Sequence, residues 1–379
     1  MRLFVFLVFL GLMGSLGAYL RLDNPFYASK ERLTTVQRQS IEHDLKHTFN
    51  TWAGEDRPQR AGLVITFSNG DTKAITHGRL DMDDKRSIAS LSKAVTGLCT
   101  AGLIMDGKIA LNDNVGKLLS SYFSQLGNPK DNRVSAITIG HLLSHYSGFA
   151  GIETRKDPTI YHALTPTVRE KGVRGTHFDA LVSLTLSKRL ATSPGNRYIY
   201  SNANYLVLGK IIEEISGESY EDYCEQRVLE KAGVSASIDP DGKILSSYAG
   251  WYLSPSEVTK VFSLFDPSSG FLSKELLDWN SSPNGKGVIP SRKLHYGLGA
   301  MVSKRFGDDW YFHEGWWDRY PASNRNTGSL AKSYATLAFH TDEGVGIFAV
   351  VEPAFDLKST NKLRDWIIHS YNRGLEKAE

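Results

Sequence analysis

The distribution of strand and helix patterns along the chain constrains its fold most. Strand-like segments occur at both ends of the sequence, near residues 62–68, 72–76, 310–313, 334–340 and 345–351. The stretch between them, from 90 to about 277, is dominated by helical periodicity. Strands at both ends with helices between them predict one antiparallel sheet made by the two terminal segments, with a helical lobe inserted in the middle. A cleft between the two lobes is the natural place for a binding site.

Two helices are expected to flank this sheet, from about Thr34 to Trp52 and from about Asn361 to Arg373. The pattern therefore predicts an α+β fold with terminal helices against the sheet. The predicted boundaries are 25–379 for the domain, about 31–89 and 291–379 for its sheet lobe, and about 90–290 for its helical lobe.

The first residues predict export. Residues 1–18 contain a basic start at Arg2, an uncharged apolar run and a small-residue segment, which is the order found in a secretory signal peptide. The uncharged stretch continues to Leu20, so an uncleaved membrane anchor is the alternative. Both alternatives place the remainder of the chain outside the cytoplasm, in the periplasm or the extracellular space.

The charge balance argues against nucleic acid as a partner. The chain has 44 Lys and Arg against 41 Asp and Glu, a net charge of +3, and no basic run stands out. Binding to a phosphate backbone depends on clustered cations. We therefore expect a small-molecule substrate, with membrane contact only through the N-terminal segment.

The two cysteines and the paired histidines are expected to be structural. Cys99 and Cys224 both fall in predicted helices. An exported chain could join them in a disulfide, but free buried cysteines are common, so we favour two unpaired thiols. His141 and His145 have the i, i+4 spacing of a helical zinc site. Position 142 is Leu, however, where such a zinc hydrolase carries Glu, so we expect neither a metal nor another cofactor.

Ser90 and Lys93 provide the strongest sign of chemistry. Residues three apart on a helix share a face, so this SxxK spacing sets a lysine amine beside a serine hydroxyl. Apolar residues follow at helical spacing, at Leu91, Ala94, Val95 and Leu98. Ser90 is therefore expected in the first turn of a buried helix, where unpaired backbone N–H groups favour developing negative charge. The same spacing at 329–332 lies in a polar connection, and at 359–362 it opens the C-terminal helix with Ser359 as its N-cap.

Several other strings accompany this one. They are Tyr200-Ser201-Asn202, His313-Glu314-Gly315, Leu111-Asn112-Asp113, the run 138–148, Pro194-Gly195 and the run 250–254. With these strings the chain resembles the serine β-lactamase and penicillin-binding-protein superfamily, nearest its class C and esterase-like branch, from about Gly62 to Val351. The resemblance implies a β-lactamase-like fold.

The resemblance also implies a role for each motif residue. Ser90 would be the acylated nucleophile and Lys93 the amine that keeps it activated. Tyr200 would shuttle the proton from Ser90 to the leaving group, with Lys93 stabilising its phenolate. Asn202 would hydrogen-bond Lys93 and a substrate amide. His313 takes the place of the lysine in the family's KTG strand.

The third motif also implies an oxyanion hole and a departure from the family. Backbone N–H groups of Ser90 and Trp316 would bind the oxyanion beside Gly315. Glu314 replaces the usual Thr, and Trp316 and Trp317 stand where small residues are usual. A carboxylate there would repel penicillin or D-Ala-D-Ala, unless alternation along the strand points it away from the cleft.

Three function classes follow from these observations. The first is a serine hydrolase that forms an acyl-enzyme on Ser90 and hydrolyses an ester, an amide or a short peptide. The second is a β-lactamase or DD-carboxypeptidase, and the third is a non-catalytic binding or sensor protein on the same scaffold. An α/β-hydrolase is disfavoured because the sequence contains no GxSxG.

Overall fold

A computed structural model describes most of the chain. The described residues are 32–126, 129–154, 156–159, 174–238, 246–282, 294–303, 310–317, 334–352 and 357–377. The expected signal segment 1–18 and the SxxK spacing at 329–332 lie outside these residues. Within the described ranges no helix has both the length and the apolar character needed to cross a membrane.

Seven strands form one antiparallel sheet in which the two ends of the chain meet. They are β1 (Arg60–Thr66), β2 (Thr72–His77), β6 (Leu294–Tyr296), β7 (Met301–Ser303), β8 (Trp310–Trp317), β9 (Tyr334–His340) and β10 (Gly346–Glu352), in the order β2-β1-β10-β9-β8-β7-β6. β1 pairs with β10 from Arg60 opposite Glu352 to Thr66 opposite Gly346. This pairing confirms the predicted sheet of N- and C-terminal segments. A second, three-stranded sheet joins β3 (Arg86–Ser87), β4 (Ser237–Ile238) and β5 (Trp251–Leu253) in the order β3-β5-β4.

Helices α1 (Thr35–Asp56) and α12 (Leu357–Glu376) cover one face of the large sheet. α1 begins at a capping box in which the Thr34 hydroxyl accepts from the Gln37 backbone N–H and the Gln37 side chain accepts from Thr34 N–H. The predicted terminal helices are confirmed. Ser359 is not an N-cap, because α12 begins two residues earlier; its hydroxyl donates to Asp56 of α1 instead.

The other helices lie between β2 and β6 in the sequence and share a hydrophobic core with the opposite face of the sheet. They are α2 (Ser92–Met105), α3 (Val115–Leu118), α4 (Ser120–Leu126), α5 (Ile139–Leu143), α6 (Arg174–Leu186), α7 (Asn202–Ser216), α8 (Tyr220–Cys224), α9 (Ser246–Ala249), α10 (Pro255–Phe262) and α11 (Lys274–Ser281). Every residue of α2 from Ser92 to Leu103 is buried. A methyl group at Gly97 would collide with the backbone of Leu298, so glycine lets α2 approach the β6–β7 turn closely.

The expectation of two free thiols is wrong. Cys99 of α2 and Cys224 of α8 form a disulfide across 125 residues of sequence. Packing of the two helices brings their Cα atoms to 5.4 Å, within the range that a disulfide spans. The sequence could not reveal this approach, because it depends on how separate helices pack.

Candidate active site

Ser90 lies in a 3₁₀ turn, Ala89–Leu91, that leads directly into α2. The sequence pattern predicted it in the first turn of the helix itself. Ala89 has a φ of 49°, a left-handed conformation that residues with a side chain rarely adopt. The Ala89 N–H donates to the Ser87 hydroxyl, and the Ser92 hydroxyl accepts from Trp251 N–H of β5. These bonds hold Ser90 in a defined position ahead of the helix.

Lys93 is fully buried next to Ser90. Its Nζ donates to Ser90 Oγ at 3.1 Å and to the carbonyl oxygen of Tyr248 at 2.9 Å. The Tyr200 ring lies 5.2 Å and the Tyr248 ring 5.7 Å from the same nitrogen. Burial lowers the pKa of Lys93 to about 7, against a smaller opposing effect of the negative charge on Asp157. The amine can therefore be neutral near neutral pH and accept a proton.

Tyr200 is the third side chain of this group and is partly buried. It stands two residues before α7, whose N-cap Ser201 accepts from Ala203 N–H. Burial raises the pKa of Tyr200 well above its usual value, and the nearby Ser90 hydroxyl lowers it only in part. The phenol therefore remains protonated and is suited to donate a proton.

Asn202 does not make the bond expected of it. Its Oδ1 is buried and has no hydrogen-bond partner among the described residues, while its backbone N–H donates to Asp157 Oδ2 at 2.7 Å. The expected Asn202–Lys93 hydrogen bond is therefore wrong. The Lys93 amine reaches the carbonyl of Tyr248 instead, because α9 packs directly against α2.

His313 of β8 faces the same buried space. Its Nδ1 donates to the carbonyl oxygen of Glu314 at 2.6 Å, so its Nε2 accepts from the Tyr296 hydroxyl at 2.8 Å. Its ring centroid lies 6.2 Å from that of Tyr200. Burial and then the positive charge of Lys93 lower the pKa of His313 to about 3. His313 is thus a neutral imidazole with both nitrogens in use.

Glu314 does not line the cleft. Its carboxylate pairs with Arg364 of α12 at 2.5 Å, on the sheet face that α1 and α12 cover. Phe312, two residues earlier, packs in the core on that face, as strand alternation requires. The expectation that this carboxylate repels substrates is therefore wrong: β8 turns His313 toward Ser90 and Glu314 away.

The strand around Gly315 comes close to the Ser90 turn. A methyl group at Gly315 would lie 2.8 Å from the carbonyl oxygen of Ile88, so glycine permits this approach. Trp316 is paired with Ala335 of β9, and its side chain is partly exposed. The oxyanion hole formed by Ser90 and Trp316 stays a prediction, and the side chain of Trp317 lies outside the described part of the chain.

Two buried residues at the site were not among the predicted site residues. His145 is not on a helix with His141, because α5 ends at Leu143 and His145 has a φ of 60°. Its ring lies 4.4 Å from those of Tyr200 and Tyr296. Asp157, also fully buried, accepts from the backbone N–H of Asn202. Neither carries a local signal, although His145 lies in the 138–148 string that contributed to the resemblance.

The sheet, the inserted helices and the grouped side chains of Ser90, Lys93 and Tyr200 define a β-lactamase-like fold. The family model described as "Beta-lactamase" matches residues 49–350. The chain belongs to this family.

Curated relatives show only distant similarity. Protein flp of Staphylococcus aureus (strain N315) is 24% identical over 320 residues, which are 76% of this chain and 60% of that protein. The probable fimbrial assembly protein FimD, serogroup H1, of Dichelobacter nodosus is 32% identical over 148 residues, which are 39% of this chain and 34% of that protein. The chain thus spans about three fifths of flp and a third of FimD.

Solved structures of the same fold cover most of the chain. A D-stereospecific amidohydrolase from Streptomyces sp. superposes with a TM-score of 0.64 at 18% identity, over 87% of this chain and 98% of that one. D-amino acid amidase from Ochrobactrum anthropi SV3, complexed with D-phenylalanine, superposes with a TM-score of 0.65 at 15% identity, over 88% and 99%. The octameric penicillin-binding protein homologue from Pyrococcus abyssi superposes with a TM-score of 0.63 at 18% identity, over 86% and 77%.

Proposed function

We propose that this protein is a serine hydrolase that forms an acyl-enzyme on Ser90 and hydrolyses esters or amides. The observation that carries the proposal is the 3.1 Å contact between Lys93 Nζ and Ser90 Oγ, with the Tyr200 ring 5.2 Å from the same nitrogen. Nucleophile and base within hydrogen-bonding reach are the expected arrangement for covalent catalysis. Family membership supports the same activity.

In the first half-reaction, the neutral Lys93 amine takes the Ser90 proton as the serine oxygen attacks the substrate carbonyl. The Tyr200 hydroxyl gives its proton to the leaving group, and the Lys93 ammonium restores the Tyr200 proton. This division of roles differs from the resemblance, in which Tyr200 removes the serine proton. We prefer Lys93 as the base because burial favours a neutral amine and disfavours a phenolate.

In the second half-reaction, water occupies the position of the leaving group and the transfers run in reverse. Water gives a proton to Tyr200, Tyr200 passes one to Lys93, and Lys93 returns it to Ser90 as the ester bond breaks. The backbone N–H groups of Ser90 and Trp316 are proposed to stabilise the oxyanion in both halves, where one donor is worth about 3 kcal/mol.

The substrates proposed are neutral at the leaving-group side. His313 offers no positive charge to a substrate carboxylate, because its imidazole is neutral and both nitrogens are bonded. The similarly folded amidases act on amides, according to their names. We therefore favour amino acid amides and esters over β-lactams or peptides that end in a carboxylate. We also propose that residues 1–18 direct export of the protein. Cell fractionation of the full-length chain tests this proposal.

The test is labelling by a fluorophosphonate probe followed by mapping of the labelled peptide. We expect the label on Ser90 and its loss in Ser90→Ala. Ser359→Ala is the matched control, since Ser359 also belongs to an SxxK spacing but bonds Asp56 between α1 and α12. Undiminished labelling of Ser90→Ala would refute the assignment. The rates of turnover of D-phenylalanine amide, a nitrophenyl ester and nitrocefin then distinguish an amidase or esterase from a β-lactamase. If the wild-type protein is not labelled, the non-catalytic sensor protein is favoured.

A further inference from the structure

Asp157 is a fully buried carboxylate that the mechanism above does not use. Its Oδ1 accepts from the Thr159 backbone N–H at 2.9 Å and from the Thr159 hydroxyl at 2.7 Å. Its Oδ2 accepts from the Ser201 hydroxyl at 2.8 Å and from Asn202 N–H at 2.7 Å. All four donors are uncharged. A buried carboxylate is costly without partners, so this arrangement calls for an explanation beyond packing.

The carboxylate is bonded to the segment that carries Tyr200. Asn202 is the first residue of α7, a helix of 15 residues, and Ser201 is its N-cap. Negative charge at a helix N-terminus is stabilised by the unpaired N–H groups and the helix dipole. Because the bonded residues directly follow Tyr200, Asp157 limits the positions that the Tyr200 ring can take next to Ser90.

The negative charge of the same carboxylate also raises the pKa of Lys93, against the effect of burial. The ionisable groups that face the Lys93 amine come from five directions: His145 after α5, Asp157, Tyr200 and Tyr205 at the start of α7, Tyr248 of α9 and His313 of β8. Burial lowers the pKa of both imidazoles and raises the pKa of the three phenols. These five groups are therefore neutral near neutral pH, and Asp157 contributes the negative charge.

We propose that Asp157 is a positioning residue that anchors the Tyr200–Asn202 segment and sets the pH range in which Lys93 serves as a base. The proposal rests on the proposed function, because it acts through Lys93 and Tyr200. Two effects are separable: the hydrogen bonds order the Tyr200 segment, and the charge opposes the effect of burial on Lys93.

Asp157→Asn separates them, because it keeps the shape and one acceptor oxygen but removes the charge. Without the charge, the Lys93 ammonium is less stabilised and its pKa falls further below about 7. The acid limb of kcat/KM should move to lower pH, by about one unit, a common size for shifts in folded proteins. A purely structural role would lower kcat and leave the limb in place.

The experiment compares the full-length wild type with Asp157→Asn and Asp157→Glu. Asp266→Asn is the matched control, since Asp266 is also a buried carboxylate but pairs with Arg32 and His340. The pH dependence is measured for turnover and for the rate of fluorophosphonate labelling. The Lys93 pKa is read separately by NMR of lysine labelled with ¹³C at Cε, with Lys93→Ala to assign the signal.

In Asp157→Asn we expect the acid limb of the pH profile and the pKa of Lys93 to move to lower pH together. In Asp157→Glu both should stay near their wild-type values, and in Asp266→Asn neither should change. A folded Asp157→Asn protein with an unmoved Lys93 pKa overturns the inference. If that variant does not fold, Asp157→Ser, whose hydroxyl can accept from Asn202, is judged by the same shift. If the wild-type protein is not labelled by the fluorophosphonate, the proposed function is refuted instead. The NMR titration of Lys93 would still decide the effect of Asp157.

Discussion

Glu314→Thr tests which face of β8 meets the substrate. If the carboxylate faced the cleft, a charge pair at about 4 Å would be worth up to roughly 4 kcal/mol at an effective dielectric of about 20. Since about 1.4 kcal/mol is a factor of ten, removing it would raise kcat/KM for a carboxylate-bearing substrate, relative to a neutral one, by roughly several hundred-fold. This is the outcome that the sequence motif by itself predicts.

The structure predicts a different outcome, because the Glu314 carboxylate bonds Arg364 on the opposite face. We expect the ratio of the two kcat/KM values to stay within about a factor of two. The Glu314→Thr substitution should instead lower the free energy of unfolding. The two side chains are 28% and 25% exposed, so loss of the pair should cost about 1 kcal/mol, at the upper end for surface ion pairs. In a domain of this size that lowers Tm by about 2 °C.

The assay compares nitrocefin with a neutral nitrophenyl ester at low salt, alongside calorimetry. Arg364→Ala is the control, since it breaks the same ion pair from α12 without touching β8. Both variants should lose similar stability and keep the wild-type ratio. An increase in the ratio of about tenfold or more in Glu314→Thr, but not in Arg364→Ala, would show that the carboxylate faces the substrate and that the orientation described here is wrong.

Three further predictions concern the core of the site and the helices that hold it. Lys93→Ala and Tyr200→Phe should each lower kcat by about two to four orders of magnitude while circular dichroism stays unchanged; near-normal turnover in either would remove that residue from the mechanism. Activity should fall as pH drops through about 7, because protonated Lys93 cannot accept the serine proton, and a flat profile from pH 5 to 8 would contradict this. Loss of the disulfide in the Cys99→Ser, Cys224→Ser double variant should cost about 3 kcal/mol of unfolding free energy, measured by denaturant titration, and an unchanged midpoint would mean that it does not constrain the chain.

Local patterns in the sequence were sufficient to predict the sheet, the terminal helices and the neighbourhood of Ser90 and Lys93. Alternation with a period of two identifies a strand, and a spacing of three fixes two side chains on one helical face. Both properties belong to short segments, so they can be recognised without knowing which other segments pack against them. The expected approach of Lys93 to Ser90 is therefore present in the structure, even though the serine lies in a 3₁₀ turn rather than inside the helix.

Contacts between distant segments were decided only by the tertiary structure. Glu314 meets Arg364 because of where α12 packs, and Cys99 meets Cys224 because of where α8 packs. Asp157 is separated from Asn202 by 45 residues, yet their bond orders the segment that carries Tyr200. The low pKa of Lys93 likewise comes from burial by several elements rather than from its own helix. A local pattern shows which side chains share a face, but packing decides what that face meets and how much water is excluded from it.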